Sequence, residues 1–503
     1  MSPRRRGKIR AWRRVSLACG YEARAGRFLL TLLVLALRLL SNAVAGDSPA
    51  VGPLFDEFDL TLELGRRTEA AGPFFYSESQ ETQKTWAVPP LFSHTRDPAT
   101  ESEEYDFLYP VVTYDRFGEQ YRWHICQLFS VAGGPTQHEG FRDRITLFPF
   151  FFQQRSSDPK ENYTAVLPVY GRLKNRLFRD EIYFVMFPAF IESRKADVVT
   201  DNYLYPFFHV RYGDSLRGWQ FWPIVGREHK DPTTQTNGFG DVRTMGGHDK
   251  SFLLWPLYFD QKTGIGTANP EHTRGSIPAF SYLRSPQRNS TTVLWPFFSR
   301  IDDREKKYRE WEAPWPLIEF ARGEGKTANR VFPFYSRAHN ATLESDFYLW
   351  PIYKYSRVHA DPLDRKRTRI CFFVYSDVTE KNTETGAALH RVDLWPFFTY
   401  RRDFTGKTRL QVLAIVEPYL PNNKSIERDY SQVWSLWRAE RNPRTGAASQ
   451  SLLWNLYRHD TTSTSEKSSA FFGLYQSRSD AAGKSVRLFF IPLTRTKPQP
   501  SSR

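Results

Sequence analysis

Apolar residues in this chain gather into short knots, and charged, turn-forming stretches separate them. The clearest knot is Asp393-Leu-Trp-Pro-Phe-Phe-Thr-Tyr-Arg-Arg-Asp403, followed by the polar turn Phe404-Thr-Gly-Lys-Thr408. Related knots are Leu294-Trp-Pro-Phe-Phe-Ser-Arg300, Val331-Phe-Pro-Phe-Tyr-Ser-Arg337 and Leu349-Trp-Pro-Ile-Tyr-Lys-Tyr-Ser-Arg357. Worn copies extend from Pro73-Phe-Phe-Tyr76 to Leu488-Phe-Phe-Ile491. A recurrence of roughly twenty residues marks a repeat architecture.

Apolar residues alternate through each knot. Phe347, Leu349, Pro351, Tyr353 and Tyr355 share one face at period two, and Tyr348, Trp350 and Ile352 share the other. Aromatic and branched residues predict strand, and a central proline forbids a regular helix. Connectors such as Asn442-Pro-Arg-Thr-Gly446 supply the residues that tight reversals need. The pattern predicts an all-β, repetitive antiparallel meander of about 22 strands, one Trp/Phe-Pro-centred strand per ~20 residues. Registered centres would form an aromatic belt across the sheet. An outer-membrane-type barrel is the favoured closure, and a propeller-like or stacked-sheet array is the alternative. Weighing against the barrel, both faces are apolar at the belt, and a mid-strand proline leaves a ladder bond unmade.

The chain divides into four parts. Residues 1–45 read as a cleaved export signal: basic residues, the apolar run Phe28 to Leu40, then Ala43-Val44-Ala45. Residues 46–72 are a polar lead-in, 73–494 a single β-repeat domain with a long loop at about 226–250, and 495–503 a disordered tail. Residues 1–45 carry ten basic residues and one acidic, so nine of the fifteen net positive charges leave with them. The mature surface is then mildly basic with both signs interspersed, which argues against a nucleic-acid partner. Cys126 and Cys371 lie in apolar segments and read as two buried free thiols, a single disulfide being the alternative.

Candidate chemistry is sparse. Gly213-Asp-Ser-Leu216 spells the nucleophile block of the GDSL esterases, with Ser215 as nucleophile. That family also needs a late Asp-x-x-His, which is missing here, so ordinary turn chemistry is the better reading. His229, His248 and His272 surround the long loop without metal-ligand spacing, and no cofactor is expected. A glycoside hydrolase would need paired carboxylates, and Glu101, Glu103 and Glu104 read as a solvated run. The chain is therefore expected not to be an enzyme. Four sequons open at Asn162, Asn289, Asn340 and Asn423.

Arginines recur four to six residues past the proline: Arg155, Arg172, Arg194, Arg227, Arg284, Arg300, Arg322, Arg337 and Arg357. Antiparallel neighbours would place them at both rims. There they would either bind an anionic ligand or solvate strand ends and pair with nearby acids. The expected function is an exported, non-catalytic cell-envelope protein acting as outer-membrane channel or scaffold. The alternative is a soluble periplasmic or extracellular module. Expected partners are membrane lipid or envelope components, with a glycan or protein ligand as a further option.

Overall fold

The computed structural model describes residues 54–135, 140–236, 242–481, 483–489 and 491–493. The expected export signal, 1–45, and the expected disordered tail, 495–503, lie outside them. The described chain is one antiparallel meander sheet of 43 strands, most of them four to eight residues long. Each strand pairs with its neighbours in sequence, with one detour. Val225–Lys230 pairs with Gly247–Leu253, and a separate hairpin, Thr233–Thr236 with Val242–Met245, projects between them. The long polar loop is thus largely strand. The lead-in likewise holds two strands, Asp56–Asp59 and Gly65–Ala70.

The all-β meander is as the pattern predicts, but the strand number doubles because proline sits elsewhere. Leu294-Trp-Pro-Phe297 is a turn between Arg288–Val293 and Phe298–Asp303. A unit is therefore two short strands, an apolar turn and a polar turn. Proline has no N–H to give to a ladder and is accommodated in a reversal. The Trp295-Pro296 bond is cis, as in the other Trp-Pro turns. Among the described residues the odd reversals all lie on one edge of the sheet and the even ones on the other, as a meander requires.

Register is continuous over the sheet. One face carries a directly opposed run that begins Trp86, His94, Tyr105, Tyr114, Trp123, with neighbouring rings edge-on, stacked or tilted. The other face carries Ala87, Ser93, Asp106 and Thr113, all buried. We call the first face outer and the second inner. The inner face packs its apolar core at Phe152, Tyr163, Ala165, Leu173 and Phe184. Three inner-face glycines stand directly opposite phenylalanines: Gly171 with Phe184, Gly226 with Phe252, and Gly275 with Phe259. The ring covers the glycine backbone; a Cβ on Gly275 would sit 2.5 Å from Phe259 Cζ.

The ends of the sheet meet face to face. Among the described residues no ladder joins Asp56–Asp59 to the C-terminal strands, and side chains join them instead. Arg458 lies over the Phe58 ring at 3.4 Å, Lys407 pairs with Glu63 at 2.7 Å, and Asn455 donates to Glu69 at 2.5 Å. The sequence pattern missed an insert on the apolar edge, between strands Thr408–Val412 and Trp437–Asn442. It holds α1, Lys424–Asp429, and α2, Ser431–Trp434. The Asn423 side chain caps α1 by accepting from Ile426 N at 3.0 Å and donates to Tyr109 Oη at 2.9 Å. An Asn cap ahead of Lys-Ser-Ile-Glu-Arg was the available signal. The carboxylate of buried Glu417 ties the insert together, accepting from Gln411, Trp434 and Ser431.

Candidate functional site: an apolar edge and a charged interior

The apolar edge is the most distinctive surface. Its turns present Trp222, Leu254, Trp255, Leu294, Trp295 and Phe397 to solvent, the last with 63% of its surface exposed. Cys126 and Cys371 also occupy edge turns, at φ 50° and 49°. They are exposed free thiols, contrary to the burial expected from their apolar surroundings. Immediately above the tips, the outer face carries a cross-strand row that includes Phe92, Phe107, Val112, Ile125 and Phe129. The next level mixes aromatics with charge, for example Arg300 opposite Trp311 and Asp260 opposite Arg274.

The edge backbone is satisfied from turn to turn. Leu294 N donates to Ala279 O at 2.8 Å, Trp295 N to Pro278 O at 2.8 Å, and Phe297 N to Leu294 O at 2.9 Å. Pro296 has no N–H to satisfy. The same pattern recurs where Trp255 N donates to Pro223 O at 2.6 Å and Trp350 N to Pro333 O at 2.7 Å. These turns thus leave no orphaned N–H at their apolar tips, which removes the objection that proline would strand unpaired backbone in an apolar medium. The opposite edge is polar in most turns, such as Asp214-Ser215; Leu177-Phe178 is an exception, with Phe178 97% exposed. Gly213-Asp-Ser-Leu216 is thus a two-residue hairpin turn, with φ 49° at Asp214 and 59° at Ser215.

The candidate arginines do not crown two rims. Each lies on a strand leaving the apolar edge, and Arg172, Arg227, Arg300 and Arg337 occupy one register level of the outer face. Arg155, Arg194 and Arg357 lie on that same face, two residues further along. Most are engaged within the sheet. Arg172 pairs with Glu181 at 3.1 Å, Arg227 with Asp249 at 4.0 Å, Arg337 with Asp346 at 3.9 Å, and Arg357 is bidentate on Asp364. Arg300 lies over the Trp311 ring. Arg155 Nη1 donates to the Gln154 and Tyr163 carbonyls, a grip that Arg284 and Arg322 repeat on their own strands.

A charged interior forms where the ends meet. A cavity of about 820 Å³ opens there, with Arg67, Glu78, Arg409, Arg428, Arg438 and Glu440 among its lining residues. On its wall Arg428 of α1 is buried against the first strands: Nη2 donates to Asp106, and Nη1 donates to Thr95 Oγ1 at 2.7 Å and Glu104 Oε2 at 3.1 Å. Glu104, read as solvated, is therefore part of this contact. Glu103 faces the other way, accepting from Tyr105 and lying 3.0 Å from His94. Burial pushes the Asp429 carboxyl up to about 7; Asp106 reinforces the shift, while Ser93 and Arg428 oppose it. Burial likewise pushes Asp56 up to about 6, with the Glu69 carboxylate adding to it.

The histidines near the projecting hairpin each have a separate carboxylate: His229 with Asp231, His248 with Glu228, His272 with Asp260. Among the described residues no three His, Cys, Asp or Glu side chains are grouped to hold a metal ion. No helix among them is long and apolar enough to cross a membrane, which says nothing of a crossing by strands. No protein-family model matches this sequence, and no curated protein is significantly similar to it.

Proposed function

We propose that the chain is an exported, non-catalytic envelope protein that rests on a lipid leaflet by its apolar edge and acts as a scaffold. The carrying observation is the segregation of Trp-Pro turns to one edge, with their N–H groups satisfied by the neighbouring turns. Apolar tips, an apolar and aromatic row, then a level with charge is the order of media a chain meets on leaving a leaflet. Tip and first row together are about 10 Å deep, a depth suited to the interface of one leaflet. A spanning barrel asks for strands of about 9–11 residues and an apolar band near 25 Å. Most strands here have four to eight residues, and charge enters at the second outer level, so the geometry favours a surface-seated sheet over a pore. Forty-three strands at about 4.8 Å give an edge near 200 Å along the sheet, so many weak insertions act together. Export is supported by the basic N-terminus and Ala43-Val44-Ala45.

The native thiols test this reading, because Cys126 and Cys371 both lie in edge turns. Purified chain is floated with phospholipid vesicles and treated with a membrane-impermeant maleimide. Cotransport with the vesicles and protection of both thiols are expected, while a cysteine placed at Glu305 on the polar edge stays reactive. Failure to float, or equal labelling with and without vesicles, would refute the leaflet. Protection without any lipid, together with self-association, would assign the edge to a second copy instead.

A further inference from the structure

The inner face carries a group of cations that no carboxylate of the described sheet pairs directly. Strand Tyr353–Ala360 pairs with Leu363–Ile370 so that Lys354 stands directly opposite Arg369, and Arg367 lies two residues along on the same face. Like charges in directly opposed positions are unfavourable unless something compensates them. The carboxylates of these and adjacent strands are turned away or engaged. Asp364 is on the outer face with Arg357, and Asp377 is there with His390. On the inner face, Glu380 of the adjacent strand pairs with Arg365 at 3.0 Å, and on strands further off Asp393 is held by Arg391 and Thr399, and Glu319 by Lys326 and Arg330.

Among the described residues Lys354, Arg367 and Arg369 make no ion pair or side-chain hydrogen bond, and Arg367 Nε is buried without a partner. All three are half-buried, so water screens them incompletely. Burial lowers the Lys354 pKa, and the guanidiniums of Arg369, Arg330 and Arg367 lower it further. Burial followed by Arg369 and Arg365 does the same to Arg367, against the opposing pull of the Asp393 carboxylate. Two small hydroxyl residues flank the group, Ser356 opposite Arg367 and Ser376 opposite Arg369. Both side chains are short, and each hydroxyl can donate one hydrogen bond.

We propose that Lys354, Arg367 and Arg369, with Ser356 and Ser376, form a binding site for a phosphate group on the inner face. Two guanidinium forks and an ammonium come to the site from three separate strand positions. A tetrahedral dianion offers acceptors to all three, whereas one carboxylate is filled by a single fork. The ligand is free phosphate or a phosphate ester, and the two are separable by experiment. This site does not rest on the leaflet reading, because it uses the other face of the sheet.

The test is calorimetric titration of the full chain with inorganic phosphate and, separately, glycerol 3-phosphate, at constant ionic strength in chloride. Saturable binding of at least one is expected, and glycerol 3-phosphate binding would identify an ester site. Arg369→Gln and Lys354→Gln should each weaken it by about tenfold or more. Lys366→Gln, on the same strand but on the outer face, should not change it. In phosphate-free buffer the thermal midpoint of Arg369→Gln should be unchanged or higher, because the substitution removes a like-charge contact. Absence of saturable binding by both ligands overturns the proposal, as does full affinity in Arg369→Gln or equal loss in Lys366→Gln. If acetate or citrate binds as tightly as phosphate, the phosphate assignment is overturned.

Discussion

Removing Arg428 should release the N-terminal strands while leaving the rest of the sheet intact. Its side chain is 10% exposed, and the Asp106 side chain it bonds is 6% exposed. Arg428→Met would keep most of the packing volume but leave Asp106 beside Asp429 with no cation between them. It would also remove the donors to Thr95 and Glu104. Breaking a buried pair by deleting one partner costs about 3–5 kcal/mol. Proton uptake by the carboxyl pair would offset part of this at low pH. Because strands of a meander touch chiefly their neighbours, the loss should stay local. Hydrogen exchange followed by mass spectrometry reads it directly. Amides of 56–107 and 424–434 should exchange faster by roughly two to three powers of ten at pH 7.5, with strands 258–402 unaffected. Unchanged exchange at the N-terminal strands, or uniform acceleration along the chain, would refute the clamp.

Asp429→Asn should have the opposite sign at neutral pH. The Asp429 carboxyl is raised to about 7, above its unfolded value, so its favourable contribution is full below about pH 4 and is lost as pH rises through 7. Between pH 5 and pH 8 the wild-type clamp should weaken by about 2–3 kcal/mol, while the Asn variant stays nearly flat. Local exchange at the two pH values, corrected for intrinsic rate, checks it, and an equal pH response in both proteins would count against it. Gly275→Leu should lower the thermal midpoint, since its Cβ would meet the Phe259 ring. Overpacking of this kind costs about 1–3 kcal/mol, and an unchanged midpoint would mean that the ring moves aside freely. At the edge, Trp295→Glu with Trp350→Glu should reduce vesicle flotation, whereas Lys306→Glu on the polar edge should not.

Much of the architecture was legible in the local pattern, and its limits are equally specific. The recurrence of Leu294-Trp-Pro-Phe297 and its relatives, together with the Gly and Asp connectors, determined an all-β antiparallel meander. Those features are local, and a sheet of sequential hairpins needs only local contacts. The same alternation through Leu349-Trp-Pro-Ile352 fits one strand crossing the proline or two strands reversing at it. Only the hydrogen bonds between successive turns decide, and they place proline where no N–H is needed. That choice doubled the strands, moved the apolar belt from mid-sheet to an edge, and brought the arginines to one face. The Arg428 clamp joins residues more than 300 positions apart, Asp106 and Glu104 included. Nothing in the run Glu101 to Glu104 distinguishes a solvated carboxylate from a buried partner. Contacts of that separation depend on how far the whole sheet coils, a sum of small twists over many strands that no single unit of the sequence encodes.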